Sequence, residues 1–433
     1  MPVNIAVTSK PRIVVIGGGF GGIELIKKLK HADVQIVLLD KNNYHTFQPL
    51  LYQVATGGLE PDSIAYPLRK IFKTQSNFIF RMTEVLKIIP EKNSIETSIG
   101  EIAYDYLVIA TGSKTNFFGM EDMKKNAVDM KSIPQALDLR SLVLQNLERA
   151  LLTVDLEERE SLMTFVVIGG GPTGVETAGA LGELKNHILP RDYPELDIQK
   201  MQIHIIEKEN RLFSAMAQIS SVKGEEFLKR FKVNVWRSTS VVSYDGTNLN
   251  LSNGKQIKSQ TVIWAAGVSG AVVPGLPQEI IVGNRLKVDS YNRVEGCQNI
   301  FAIGDIAAMI TEKTPRGHPM LAPVAAQQGR NLAENFKRLI AHNVSNEKIK
   351  FIPFQYRNLG VMATIGRNRA VVELPFIKFQ GFFAWFVWMS VHLMALVGFR
   401  NRLVVFVNWM WSYFSYDRGL HLIIRPVRRS NGG

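Results

Sequence analysis

The sequence predicts an α/β protein made of two Rossmann-like dinucleotide-binding domains and a C-terminal membrane-attachment region. Three observations predict it. A glycine-rich segment occurs twice, as "IVVIGGGFGGIE" at 13–24 and "FVVIGGGPTGVE" at 165–176. The strand after each copy closes on an acid, "VQIVLLD" at Asp40 and "IHIIE" at Glu207. The third is "GFFAWFVWMSVHLMALVGFRNR", Gly381 to Arg402, too apolar and aromatic for an ordinary soluble surface.

In each copy an apolar β-branched run leads into a glycine turn and then a helix, the order strand, phosphate loop, helix. In the first, Gly17, Gly19 and Gly22 hold the G-x-G-x-x-G positions, with Phe20 and Gly21 between them. The first glycine permits the tight turn, the second lets a pyrophosphate approach the backbone, and the third packs helix on strand. The pyrophosphate meets free N–H groups and the positive end of the helix dipole. Asp40, followed by Lys41, then reaches the adenosine ribose hydroxyls. Gly169, Gly171 and Gly174 repeat the pattern around Pro172 and Thr173, with Glu207 in the part of Asp40. A carboxylate there favours a free 2′-hydroxyl, so NADH is expected over NADPH; Arg211 nearby works slightly against that.

Between the copies, "SIPQALDLRSLVLQNLERALLTVDLEERESL" predicts a long helical stretch capped by Ser132 with Pro134 in its first turn. "NHILPRDYPELDIQKM" reads as a surface loop inserted after the second helix. "VIWAAGV", with Ala266 and Gly267, ends the second unit, and "NIFAIGDIAA" resumes the first. Strands follow, with turns at 358–360 and 366–368. The expected domains are 10–118 and 285–345 for the two parts of the first, 119–284 for a linker helix and the NADH-binding domain, and 346–433 for C-terminal strands and membrane-attachment helices.

A chain of 433 residues can bury two or three cores, and 46% hydrophobic with 21% charged residues is a globular composition. Of the net charge of +13, the last 34 residues carry six Arg against one acid, Asp417. Such an excess beside an apolar run suits anionic lipid rather than nucleic acid. The single cysteine, Cys297, excludes an internal disulfide and fits a reducing compartment. The start, "MPVNIAVTSKPR", has no apolar h-region, so no secretory signal is expected, and no metal site is expected either.

The apolar run from Gly381 to Phe399 has 19 residues, about 28 Å as a helix at ~1.5 Å per residue. That is near spanning length, so length leaves span, surface and core open. Asn401, Asn408, Ser412 and Ser415 then form a polar helical stripe beside Val404, Phe406, Trp409, Trp411 and Phe414. This suits a helix lying in the membrane interface with rings at headgroup depth. Attachment without crossing is expected.

"YDYLVIATGS" at 104–113, with Ala110, Thr111 and Gly112, and "NIFAIGDIAA" at 299–308, with Gly304 and Asp305, resemble the A-T-G and G-D segments of glutathione-reductase-like flavoproteins. The resemblance implies that the first unit holds FAD non-covalently and that Asp305 bonds its ribityl chain; the residues alone also allow a helix N-cap. "DKNNYHTFQPLLYQVATGGLEP", "LAPVAAQQGRNLAENF" and "GFRNRLVVFVNWMWSYFSYDRG" narrow the likeness. From residue 12 to about 425 the chain resembles the type II NADH:quinone oxidoreductases, single-subunit, non-pumping respiratory dehydrogenases.

That resemblance implies hydride transfer from NADH to FAD N5, then two-electron reduction of a membrane quinone, menaquinone or ubiquinone. It implies a monotopic protein on the cytoplasmic face of the inner or plasma membrane, with a homodimer through the tail left open. His45 would order a loop around the flavin, with Val85 a further flavin neighbour. A helix beginning near Ala325 would bring Ala326, Gln327 and Gln328 toward the flavin ring, where its dipole stabilises the reduced form. Gln327 and Gln328 would meet the quinone, with Tyr52 and Gln53 lining its access. The family pattern A-Q-x-A-x-Q-Q is broken by Pro323 in place of its first glutamine.

Glu176 has two readings, proton delivery near the nicotinamide or an acid merely favoured early in a helix. Glu24 at the same offset in the first copy is its internal control. His392 reads as an interface histidine rather than a proton relay. A sulfide:quinone oxidoreductase needs paired redox cysteines, which Cys297 alone cannot supply. Another membrane-associated FAD/NADH oxidoreductase, or a flavin-bearing redox sensor or binding module, are the remaining alternatives.

Overall fold

Runs of Val, Ile and Leu without polar alternation form parallel strands buried on both faces, and the computed structural model contains two sheets of this kind. It describes residues 3–345, 350–415, 422–423 and 426. The strands used below are β1 (Arg12–Ile16), β2 (Gln35–Asp40), β3 (Phe78–Met82), β4 (Tyr106–Ile109), β5 (Val128–Asp129), β6 (Thr164–Ile168), β7 (Gln202–Ile206), β8 (Val233–Trp236), β9 (Thr261–Trp264), β10 (Ile300–Ala302), β11 (Val361–Thr364), β12 (Ala370–Glu373) and β13 (Lys378–Gly381). The helices are α1 (Phe20–Lys28), α2 (Leu51–Ala55), α3 (Ile133–Leu152), α4 (Pro172–Glu183), α5 (Ala322–Ser345), α6 (Phe382–Ala395) and α7 (Phe399–Ser415).

The first unit comprises Met1–His45, Tyr66–Lys114 and Val268–Asn358. Its parallel sheet runs β10-β4-β1-β2-β3, with Ile13 opposite both Ile36 and Tyr106. Helix α5 lies close on α1 because both are small at the crossing: a Cβ on Gly329 would stand 2.3 Å from the Gly21 carbonyl oxygen. The second unit comprises Thr46–Ala65, Thr115–Gly267 and Leu359–Gly433. Its sheet runs β5-β9-β6-β7-β8, also parallel, so β6 holds the central place that β1 holds in the first. The C-terminal residues add the antiparallel sheet β11-β12-β13 and then α6 and α7. Breaks thus fall at 114/115, 267/268 and 358/359, and 46–65 goes with the second unit.

Three expectations are corrected. The stretch 132–162 is not one helix: α3 ends at Leu152, and a second helix, Leu156–Leu162, starts on Asp155, whose carboxylate accepts from the Glu157 and Glu158 N–H groups. Segment 186–201 is only partly a surface loop: helical turns run to Asp192 and return over Ile198–Lys200, and buried Ile188, Leu189, Tyr193, Ile198 and Met201 pin it. The apolar run 381–399 is broken, because α6 stops at Ala395 and Gly398, at φ +87°, turns the chain into α7. Fourteen residues make about 21 Å, short of the ~30 Å hydrocarbon core. Among the described residues no helix is long and apolar enough to cross a membrane. Arg418, Arg425, Arg428 and Arg429 of the basic tail, and Asp417, lie outside the described residues.

Two nucleotide loops and a C-terminal pocket

In the first loop Gly17 sits at φ +107°, and a Cβ there would be 2.3 Å from the Ala110 carbonyl oxygen. One on Gly22 would be 2.2 Å from the Gly17 carbonyl oxygen, so the third glycine lets helix meet turn. Asp40 accepts from the Gly18 N–H (2.7 Å) and the Asn42 N–H (2.7 Å), which fixes both oxygens while each keeps a lone pair. Burial pushes its carboxyl up, against those two hydrogen bonds and the Lys41 charge. His45 is buried, with Nδ1 3.0 Å from the Gly18 carbonyl oxygen and its ring edge-on to Phe20 at 4.9 Å. Burial lowers it to about 4, so it is neutral and Nδ1–H donates to Gly18, bracing the loop.

The other first-unit residues converge on the same end of the sheet. Ala110 N–H bonds Ile16 O, Thr111 Oγ1 donates to Ala271 O (2.8 Å), and Gly112 stands at φ +70° with open space beside its Cα. Val85 is half-buried at the start of the strand Val85–Ile89. Gly304 N–H donates to Gln328 Oε1 (2.7 Å), and Asp305 accepts from Ser113 Oγ (2.5 Å). Asp305 lies inside the 3-10 turn Gly304–Ile306, so it is not an N-cap. Helix α5 begins at Ala322, three residues before the expected start, because Pro323 suits a first turn that needs no N–H from it. Gln327 is held at two points: its amide donates to Arg357 O and accepts from Arg357 N–H, each at 3.0 Å, which leaves one N–H and one lone pair of the amide. Gln328, 1% exposed, accepts the Gly304 N–H through its amide oxygen and so ties α5 to the Gly304–Asp305 turn. Ala326 lies half-buried beside them. The cradle fits FAD: open space at Gly19, a helix start without a side-chain cap, and an oriented acid at Asp40.

The second loop repeats the construction. Gly169 has φ +111°, with a Cβ clashing at 2.6 Å on the Ala265 carbonyl oxygen, and Gly174 approaches the Gly169 oxygen to 1.9 Å by the same measure. Glu207 accepts from the Gly170 N–H (2.6 Å) and the Glu209 N–H (2.8 Å). Arg211 turns to the Ser214 carbonyl (2.8 Å), so its charge is not aimed at a 2′-phosphate. Pro172 opens α4 after Gly171, which has open space beside it, and Thr173 is exposed. Ala266 and Gly267 follow β9, with Gly267 O accepting from Asn116 N (3.1 Å) and the Phe118 ring against the Gly267 Cα.

Glu176, on the second turn of α4, is 8% exposed. Its Oε1 faces the Thr364 N–H at 3.4 Å, and burial pushes the carboxyl up to about 8. The Trp388 indole lies beside it, its buried Nε1–H making no hydrogen bond at proper geometry. Trp388 stacks on His392 at 4.1 Å, whose Nδ1 lies 2.8 Å from the Trp388 carbonyl and which burial lowers to about 4.

Farther along α4, Ala180 and Glu183 line a pocket of ≈ 590 Å³, counting the part open to solvent. Tyr52 and Gln53 of α2 face it, joined by a Gln53 Nε2 to Tyr52 OH bond (2.8 Å), and Trp409 Nε1 donates to Gln53 Oε1 (2.8 Å). Sequence reading missed Arg367, in the β11–β12 turn. Its N–H meets Glu183, and its guanidinium donates to the Tyr413 (2.8 Å) and Ser412 (2.7 Å) carbonyls, closing the end of α7. A cation at a helix C-terminus satisfies orphan carbonyls and the dipole at once.

The polar stripe of α7 faces inward, opposite to a helix with its polar side in water. Asn401 donates to the Asp62 and Ala65 carbonyls (3.1 and 2.9 Å), and Asn408 to Glu60 (2.6 Å). What points out is apolar: Phe376, Phe383, Phe386, Met394, Trp411 and Phe414 are all exposed, Phe414 by 76%.

A family model described as "Pyridine nucleotide-disulphide oxidoreductase" matches residues 11–329, and one described as "NDH2 C-terminal domain" matches 358–415. Two type II NADH:quinone oxidoreductases of Mycobacterium tuberculosis, Ndh and NdhA, are 33% and 34% identical over 424 and 428 residues, covering 94% and 96% of this chain and 89% of each relative. An internal alternative NAD(P)H-ubiquinone oxidoreductase of Arabidopsis thaliana is 28% identical over 93% of this chain and 84% of its own length. Among solved structures, NDH2 from Plasmodium falciparum in complex with NADH has the same fold, with a TM-score of 0.87 at 23% identity over 96% of this chain and 100% of that one. The sulfide:quinone oxidoreductase of Aquifex aeolicus shares it less closely, with a TM-score of 0.67 at 21% identity over 94% of this chain and 96% of that one.

Proposed function

Because this chain belongs to the type II NADH:quinone oxidoreductases, we propose that it oxidises NADH at a bound FAD and reduces a membrane quinone without pumping protons. FAD, held non-covalently by the first loop with Asp40, Ala110–Gly112 and Gly304–Asp305, supplies the acceptance of hydride and the return of an electron pair. The chain's own residues do the rest. Glu207 holds the adenosine ribose of NADH, the Gly169–Gly174 loop and the α4 dipole hold its pyrophosphate, and neutral His45 braces the FAD loop without adding charge.

The observation that carries this reading is helix α4. Its first turn is the NADH loop, its second carries the buried acid Glu176, and its last turns line the pocket of Tyr52, Gln53 and Trp409. That pocket suits a quinone headgroup: apolar Trp walls, with Tyr52 and Gln53 able to bond its oxygens. Glu176 holds a proton at neutral pH because burial favours its uncharged form, and it can give that proton up as the reaction demands. Gln327, positioned by the Arg357 backbone, has one amide N–H and one lone pair left to offer a quinone.

The outward apolar face of α6 and α7 docks the protein on a membrane surface, the cytoplasmic one in this reading. Menaquinone and ubiquinone are both candidates. FAD-loaded protein assayed with NADH and NADPH against menaquinone and ubiquinone analogues should show NADH-dependent turnover with at least one. No turnover with either sinks the proposal. Changing Phe383, Phe386, Trp411 and Phe414 to Ser together should release the protein from liposomes in flotation; unchanged binding would place the attachment elsewhere.

A further inference from the structure

The second sheet fixes the direction in which a dinucleotide lies. Strand β7, which Glu207 follows directly, neighbours β6 on one side, and β9 neighbours it on the other. With the adenosine ribose at Glu207 and the pyrophosphate over the loop after β6, the nicotinamide half falls at the end of β9, against Ala265–Gly267.

Phe118 stands at that place. A Cβ on Gly267 would meet Phe118 Cζ at 2.8 Å and Cε2 at 3.2 Å, so the tip of the ring rests directly against the Gly267 backbone and a side chain there would push it aside. The residue is nonetheless 61% exposed. Its φ is +51°, a left-handed conformation that a bulky aromatic side chain seldom adopts. The neighbours hold it there: Phe118 N–H bonds Asn116 Oδ1 (2.9 Å), Asn116 N bonds Gly267 O (3.1 Å), and Trp264 Nε1 bonds Asn116 O (2.9 Å). Packing alone does not account for this: Phe117 is the ring set against the buried cluster, 5.3 Å from Trp264, while the Phe118 ring meets the same Trp264 at 6.4 Å and still leaves most of its surface outside. A strained backbone presenting an exposed ring is a cost that surrounding structure sustains at sites of function.

We propose that Phe118 is a binding residue of the NADH site, a wall that contacts the nicotinamide–ribose half and sets how it lies against Ala266 and Gly267. The proposal rests on the second unit being the NADH site and adds a residue to it.

Three measurements on the FAD-loaded enzyme test it. Phe118→Gly should raise Tm, because glycine accepts the positive φ. The same variant should raise the KM for NADH about tenfold with a smaller change in kcat and none in the KM for quinone. Phe118→Tyr keeps the ring and should restore the NADH KM. ADP-ribose, which lacks the nicotinamide, should compete with NADH equally well, within about twofold, in the wild type and in Phe118→Gly. A Phe118→Gly enzyme with unchanged NADH KM overturns the proposal, as does equal weakening of NADH and ADP-ribose, the mark of a merely structural role. If ADP-ribose fails to compete with NADH even in the wild type, the NADH-site assignment itself is wrong and the proposal falls with it.

Discussion

The two glycine loops are near copies in sequence and in backbone, yet the glutamate seven residues after the first glycine lives in opposite environments. Glu24 is partly exposed and paired with Arg330 at 2.7 Å, with Lys27 at 3.8 Å. Glu176 is buried, has no cation paired with it among the described residues, and is covered by Thr364 and Trp388. The lesson is that a motif sets backbone and nucleotide chemistry, while what packs over its helix sets the chemistry of the acid it carries. Here the covering residues belong to the C-terminal region.

The largest effect should come from the glycines that make the copies alike. Gly174→Ala places a Cβ 1.9 Å from the Gly169 oxygen, and NADH turnover should fall by more than about 1,000-fold with FAD still bound. Gly22→Ala, with its clash at 2.2 Å, should instead lose the flavin, read from its absorbance after gel filtration. Loss of flavin in both would mean that the loops are not independent sites.

Next comes Glu176→Gln, which keeps the shape and removes the titration. Flavin reduction by NADH should slow about 100-fold if the acid handles a proton. The wild type should also lose stability as pH rises. A carboxyl raised from 4.5 to about 8 on folding stabilises most below 4.5, and that advantage disappears as pH climbs through about 8. The substituted amide cannot ionise, so the Tm gap should change in the variant's favour across that window. A gap that stays constant from pH 5 to 9 would mean that Glu176 does not hold its proton.

A smaller effect is expected at the strand-end acids. Glu207→Gln should narrow the NADH over NADPH preference in kcat/KM by about tenfold, since Arg211 is already turned away. An unchanged ratio would remove the carboxylate argument. Smallest of all, Glu24→Gln breaks an ion pair with solvent on both sides, worth at most ~1 kcal/mol. Its Tm shift should stay within about 3 °C. A larger shift would erase the contrast with Glu176.

Much of the site was legible because it is local. Gly17, Gly22, Gly169 and Gly174 announce themselves by spacing, and Asp40 and Glu207 by closing the next strand. The helix cap at Ser132 was likewise readable, whereas the break at 153–155 was hidden inside an uninterrupted helical pattern. Phe118 and Arg367 left no pattern at all, since one matters through φ and Gly267, and the other through the carbonyls of a helix 45 residues away. The stripe Asn401–Ser415 was visible, but periodicity gives a face and not its direction.

The sequence by itself determined two dinucleotide units, the acid that ends each second strand, and a tail with one polar and one apolar face. These follow from backbone geometry and hydrophobic periodicity within a few tens of residues. Only the tertiary structure decided that the polar face of α7 binds protein and the apolar face looks outward, that Gln328 serves Gly304, and that Glu176 is an acid kept neutral. Each depends on contacts between distant segments, such as Thr364 with Glu176 across 188 positions. Burial by those contacts, which no local pattern encodes, is the physical cause of the shifted acid.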